Sequence, residues 1–303
     1  FIDTPGAYPG PGAEERGEPR AAAADRLPGA VDGRPRDPLD DGAHRPILYV
    51  ALLVFGLRGA IGTYQVLYRL DGTAAVLQLI DMVLSVAAFF GVIHSPPLPG
   101  SPHYEGEPVQ RIYDFAQAEA ERYREGGVDG LIVENHGDIP FAKPDELGPE
   151  TAACMATMAD RVRRACGLPI GINVLANGAV QGIAVAKASG AAFVRVNQWA
   201  NAYVANEGFM EGKAGEASRY RSWLRAKDVA IFTDVHVKHG AHAIVADRTL
   251  EELTRDCEFF DADGVIVTGQ RTGDSARLDE LATVGRATAL PVMVGSGVNS
   301  GNV

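Results

Sequence analysis

Short apolar runs alternate with longer amphipathic stretches from residue 89 to residue 297. The runs are FFGVIH (89–94), GLIVEN (130–135), PIGINVL (169–175), FVRVNQ (193–198), AIFTDVHV (230–237), GVIVTG (264–269) and PVMVGSG (291–297). Between them lie RIYDFAQAEAERYREGG, PETAACMATMADRVRRACG, AVQGIAVAKASG, GKAGEASRYRSWLRA, TLEELTRDCEFFD and SARLDELATVGRATA. Each intervening stretch spaces its apolar residues as one face of a helix, and several close on Gly, a common helix stop. Pro149 followed by Glu150 has the composition of a helix first turn. Strand and helix therefore repeat as βα units, which implies a parallel sheet with helices outside it. Seven such runs without a change of rhythm favour an α/β fold of the closed (β/α)8 TIM type over an open doubly wound sheet. The chain stops at Val303, just after the seventh run. A full barrel needs a further helix, strand and helix, so the barrel is expected to be truncated after its seventh strand.

Within this rhythm the polar residues fall at the ends of the runs. His94 closes the first and leads into SPPLPGSP. Glu134 and Asn135 close the second, Asn173 lies in the third, Arg195 and Asn197 share a face of the fourth, and Thr268 ends the sixth. The fifth run continues as FTDVHVKHGAH (232–242). Strand alternation puts Phe232, Asp234, His236 and Lys238 on one face and Ile231, Thr233, Val235 and Val237 on the other. Barrel chemistry sits at the C-terminal ends of the strands. Polar groups inside a barrel are costly unless paired, so this gradient points to a site there. Asp234, His236, Glu134 and Asn173 are expected to open into one pocket. Each also has a plainer reading: an internal Asp234–Lys238 ion pair, a hydrogen-bonded core His236, or a Glu134–Arg195 pair. His103, His136 and His242 lie on loops and read as solvated.

The rest of the chain changes the picture at its ends. Residues 1–46 include a long Arg-, Ala-, Asp-, Gly- and Pro-rich segment with no apolar periodicity, the composition of a disordered extension. Residues 47–88 hold ILYVALLVFGL (47–57) and most of TAAVLQLIDMVLSVAAFFGVI (73–93). The first is too short to span a bilayer and the second carries Gln78 and Asp81, so a packed or peripheral helix is expected. Residues 89–303 form the barrel. The net charge of −11 and pI of about 5.1 argue against nucleic acid as a partner, because phosphate backbones need a basic footprint. Three cysteines without CxxC spacing read as reduced thiols, consistent with a cytoplasmic protein.

After the seventh run comes VGSGVNSGNV (294–303). Loops at this point in many barrels hold a phosphate on backbone N–H groups. Gly295, Ser296 and Gly297 allow close approach of an anion.

The ordered motifs GVIHSPPLPGSP, GGVDGLIVENHGDIPF, PETAACM, LPIGINVLAN, FVRVNQWANAYVANEGFMEGKA, FTDVHVKH, DGVIVTGQRTG and PVMVGSGV resemble the BtpA (BtpA/SgcQ) family over residues 89–303. The resemblance implies a TIM barrel related to the ribulose-phosphate-binding barrels. It also implies a link to photosystem I biogenesis and peripheral membrane attachment, properties of a cyanobacterial member. It supplies no established catalytic residues. FIDTPGAYPGPGAEERGE (1–18) instead resembles a segment of the acetyl-CoA carboxylase carboxyltransferase alpha subunit. Eighteen residues cannot build an acyl-CoA site, so the stretch reads as a fusion, a frame error or an assembly artefact.

Together these features predict an enzyme of isomerase or lyase type acting on a small phosphorylated molecule. Asp234 and Glu134 are the acid/base candidates, and His236 shuttles protons or polarises a carbonyl. Lys238 serves as electrophile or Schiff-base former, with His94 and Asn173 completing the set. A divalent metal on Glu134, Asp234 and His236 fits the residue types without being required by them. The competing reading is a non-catalytic, membrane-associated assembly factor.

Overall fold

The computed structural model describes residues 88–299. The expectations for residues 1–46 and for nearly all of 47–88 lie outside them, as does the close of the Gly-rich tail at 300–303. The barrel strands are β1 (Phe90–His94), β2 (Gly130–Glu134), β3 (Ile170–Asn173), β4 (Phe193–Val196), β7 (Ala230–Asp234), β8 (Gly264–Thr268) and β9 (Val292–Gly295). They pair in parallel in chain order, β1-β2-β3-β4-β7-β8-β9. Helices α1 (Val109–Glu125), α2 (Pro149–Cys166), α3 (Ala179–Ser189), α4 (Ala214–Trp223), α5 (Leu250–Phe259) and α6 (Leu278–Ala287) alternate with them. The architecture is thus the expected TIM-type α/β order, and each strand and helix predicted between residues 89 and 297 is present within a few residues. Among the described residues β1 and β9 each pair with one neighbour.

The helix ends follow local chemistry. Pro149 opens α2, and Gly167 closes it at φ 66°, where a side chain would be strained. Thr249 and Glu252 form a reciprocal capping box at the start of α5. The outward faces of the strands pack on these helices through Ile93, Leu131, Val133, Ile172, Val194, Ile231, Val265 and Val267, which join Met155, Met158, Val162 and Ile183 in one large core.

The opposite face curls in on itself. Val92, Ile132, Phe193 and Ile266 are buried together with Phe90, Phe232 and Met293. The Phe193 ring lies edge-on to Phe90 at 5.5 Å and to Phe232 at 5.4 Å between centroids. β1 and β4 are three strands apart, roughly 14 Å in a flat sheet at about 4.8 Å per strand. The rings meet because the sheet curls around them. Each ring also covers a glycine beside it: Phe90 covers Gly130, Phe193 covers Gly171 and Phe232 covers Gly264, and a Cβ at any of the three would collide with that ring. These are register partners, so large and absent side chains alternate around the base of the barrel.

One element was not foreseen. Between β4 and α4 the chain forms an antiparallel hairpin, β5 (Ala202–Ala205) and β6 (Gly208–Glu211). Its Tyr203 and Met210 pack with Ala176, Val237 and Phe141. Val204 and Ala241 exchange backbone hydrogen bonds of 3.1 and 2.7 Å, which tie the hairpin to the segment after β7.

Candidate active site

The inward-facing positions continue upward from the aromatic base. Two or four residues further along the same strands stand His94, Glu134, Asn173, Arg195 and Asp234. His94 pairs in register with Glu134, Glu134 with Asn173, and Asn173 with Arg195. The row therefore runs across four adjacent strands at their C-terminal ends. Above it lies a cavity of about 340 Å³, walled by His94, Glu134, Arg195, Asn197, Lys238 and Ser296 among others. That is the size of a small-metabolite site.

Two carboxylates at this level have different surroundings. Asp234 is 2% exposed and receives both prongs of Arg195, Nε to Oδ1 at 3.1 Å and a terminal nitrogen to Oδ2 at 2.9 Å. Asn197 Nδ2 adds a long contact of 3.5 Å to Oδ2. Glu134 is 7% exposed, lines the cavity and has no ion-pair partner among the described residues. A bidentate buried pair holds both charges in place, whereas the Glu134 carboxylate faces the space where a ligand would sit.

Four of the sequence-predicted residues line the cavity: His94, Glu134, Lys238 and Ser296. His94 stacks on His136 with centroids 4.3 Å apart, so His136, read as solvated, forms part of the wall instead. Asn173 faces inward between Glu134 and Arg195 but is 1% exposed and lies just beneath the wall. Asp234 is likewise buried. The anticipated single pocket of Asp234, His236, Glu134 and Asn173 is therefore corrected to Glu134 alone at the surface of the cavity. β7 ends at Asp234, and beyond it the strand alternation no longer operates. His236 turns to the loop, where its ring lies 3.8 Å from that of His242, which in turn stacks on Tyr203 at 5.6 Å. Burial, with a smaller contribution from His242, lowers the His236 pKa to about 4, so the ring is neutral near pH 7. Burial pushes the Tyr203 hydroxyl up, reinforced by Glu207 and Asp234. The pairings Asp234–Lys238 and Glu134–Arg195 give way to Arg195–Asp234. Among the described residues no three His, Cys, Asp or Glu side chains are grouped to hold a metal. Glu134, Asp234 and His236 do not form such a set, because Arg195 occupies the Asp234 carboxylate.

The Gly-rich segment after β9 is shaped by packing as well as by openness. Gly297 sits at φ 66°, and a Cβ there would collide with the Asp274 and Ser275 backbone. Ser296 Oγ accepts the Gly273 N–H at 2.9 Å, and Ser275 Oγ donates to the Gly297 carbonyl at 3.2 Å. Gly295 faces Ile266 and Thr268 inside the barrel. The loops after β8 and β9 thus brace each other, and Ser296 is the residue of the Gly-rich segment that lines the cavity.

Several cavity residues escaped the sequence reading: Tyr203, Asn206 and Glu207 from the hairpin, Phe141 from the β2 loop, and His239 and Thr272. His239 Nε2 accepts the Thr272 N–H at 3.2 Å, and burial, with Lys238 and Arg271 nearby, lowers its pKa. The hairpin had a legible signal in YVANEGFM, two apolar pairs around a Gly-containing turn. Asn135 is structural: it bonds Asp138 at 2.9 Å and takes the Leu175 N–H at 2.7 Å, which joins the loops after β2 and β3.

A parallel α/β barrel with a polar cavity at the C-terminal ends of its strands is a TIM-type barrel with the site where such barrels carry chemistry. The chain belongs to the BtpA family, whose model matches residues 86–303. It is 44% identical over 212 residues to an uncharacterized protein of Archaeoglobus fulgidus, covering 70% of this chain and 82% of that one. A Caenorhabditis elegans protein labelled mitochondrial is 41% identical over 218 residues, 70% of this chain and 78% of that one. The photosystem I biogenesis protein BtpA of Synechocystis is 39% identical over 215 residues, 70% of this chain and 73% of that one. Among solved structures, a phosphonomutase-like protein from Burkholderia cenocepacia has a TM-score of 0.40 at 17% identity over 59% of this chain and 74% of that one, too distant to bear on activity. No helix among the described residues is long and apolar enough to cross a membrane.

Proposed function

We propose that the barrel mouth is the active site of an isomerase- or lyase-type enzyme acting on a small phosphorylated metabolite in the cytoplasm. The observation that carries the reading is the largely buried Glu134 carboxylate, without an ion-pair partner among the described residues, facing the same cavity as Lys238 and Arg195. Glu134 takes and returns a proton at a carbon next to a carbonyl. Lys238 and Arg195 attract the anionic end of the substrate, and Ser296 with its loop receives the phosphate. Asp234 fixes the Arg195 guanidinium and takes no proton itself. The stacked His94–His136 pair lies on the side of Glu134 away from Asn173 and is placed to polarise the carbonyl.

The test needs no knowledge of the product. Candidate phosphorylated metabolites are incubated with the protein in D₂O, with and without divalent metal, and deuterium entry at carbon is followed by NMR. Enzyme-dependent exchange is expected for a bound compound, and Glu134→Gln should slow it by about 10²–10⁴-fold. Binding without exchange by either protein would sink the acid/base reading. A second reading rests on the printed name of the Synechocystis relative: an assembly factor peripherally attached to a membrane. Fractionation of chains with and without residues 1–88 tests it. Membrane recovery of the full chain that survives Glu134→Gln would favour that reading.

A further inference from the structure

Two carboxamides near the mouth carry buried polar atoms without a hydrogen-bond partner. Both side-chain polar atoms of Asn173 and the Oδ1 of Asn197 are buried and unbonded. Asn173 is 1% exposed and Asn197 8%, and Asn197 lines the cavity. Asn173 ends β3 and pairs in register with Arg195, and Asn197 lies just past the end of β4, close to the Asp234 carboxylate. The Asn197 amide nitrogen is turned to the Asp234 carboxylate, which leaves its carbonyl oxygen directed elsewhere. Buried polar groups in folded proteins are nearly always bonded, because an orphan keeps its full desolvation cost. Asn197 lines the cavity and Asn173 lies directly beneath its wall, where an entering ligand could complete them.

We infer that Asn173 and Asn197 form a subsite for hydroxyl groups, so that the substrate is a polyhydroxylated phosphate of the sugar-phosphate class. The inference rests on the anionic-metabolite reading above and adds the other half of the molecule. The orphan atoms comprise one donor group and two acceptors. A carbonyl offers only acceptance and an ammonium only donation, whereas a hydroxyl does both. Asn173 offers a donor and an acceptor whichever way its amide is turned, so the argument does not depend on that choice. The subsite lies between Glu134 and Arg195, which places hydroxyl-bearing carbons next to the proposed base and the anionic end toward the cations.

The experiment is calorimetric titration of the full chain with two matched series. One holds glycerol 3-phosphate, ribose 5-phosphate and glucose 6-phosphate. The other holds n-propyl, n-pentyl and n-hexyl phosphate, which keep the charge and lose the hydroxyls. At least one hydroxylated phosphate should bind about tenfold or more tightly than its alkyl counterpart. Asn173→Leu should erase that preference while melting at or above the wild-type temperature, because it removes an unbonded polar group from a buried position. Equal affinity for both series in the wild-type chain would overturn the subsite and leave the anionic site standing, with water alone serving the carboxamides. Failure of every phosphate to bind would overturn both. The wild-type comparison decides the matter even if the variant does not fold.

Discussion

The two ends of the barrel interior share strands and a face but not chemistry. At the base, Phe90, Phe193 and Phe232 interlock over Gly130, Gly171 and Gly264. At the mouth, the same strands present His94, Glu134, Asn173, Arg195 and Asp234. A shift of two or four residues along a strand turns a dry aromatic plug into a row of charged and amide groups. The base packs the curled sheet against itself. The mouth keeps groups that gain nothing for the fold, such as the orphan Asn173 amide and Glu134, which has no ion-pair partner among the described residues. Costs that serve no packing purpose gather where a ligand would be bound.

This contrast can be broken from either side. Phe193→Ala removes the ring shared by two edge contacts, and we expect a loss of about 3–5 kcal/mol, read as a fall in urea midpoint. Asp234→Ala strands a buried guanidinium and should cost a similar ~3–5 kcal/mol. The double change Arg195→Met with Asp234→Leu should restore most of that stability while abolishing ligand binding. Gly171→Ala pushes a methyl against the Phe193 ring and should cost about 1–3 kcal/mol. The pH dependence comes next. His236 titrates at about 4 in the fold against the ordinary 6.5, so between those values the unfolded chain binds a proton that the folded chain does not. Stability is then full above about pH 6.5 and falls as the pH drops toward 4. His236→Gln should flatten that acid limb in urea midpoints compared at pH 7 and pH 5. Smallest of all, Glu134→Gln should leave the midpoint within about 0.5 kcal/mol, since no partner is lost. A large destabilisation there would mean that Glu134 belongs to the scaffold and not to a site.

How far the sequence could be read follows from which forces are local. Alternation placed Phe232 and Asp234 inward, because a strand fixes side-chain direction residue by residue. It failed at His236, because β7 ends at Asp234 and the backbone turns, although Lys238 still reaches the cavity. Glu134 and His94 were legible as strand-end polar residues. The Arg195–Asp234 pair was not, since its members lie 39 residues apart and meet only through the order of the strands. The Tyr203 and Glu207 walls depend on a hairpin folding back over the mouth, which no single helical or strand period announces. Gly297 was read as anion space, yet its position is also set by the Asp274 backbone against which it packs.

The most direct test of the mouth as a binding site for phosphorylated metabolites is the melting temperature of the wild-type chain and of Lys238→Met across a panel of such compounds. A compound that binds only the folded state adds about 2.7 kcal/mol of stability at a hundred times its Kd. The account predicts a clear rise for the wild-type chain with at least one compound, and a much smaller rise for Lys238→Met at the same concentration. A wild-type melting temperature unmoved by the whole panel, or an equal rise in the variant, would contradict it.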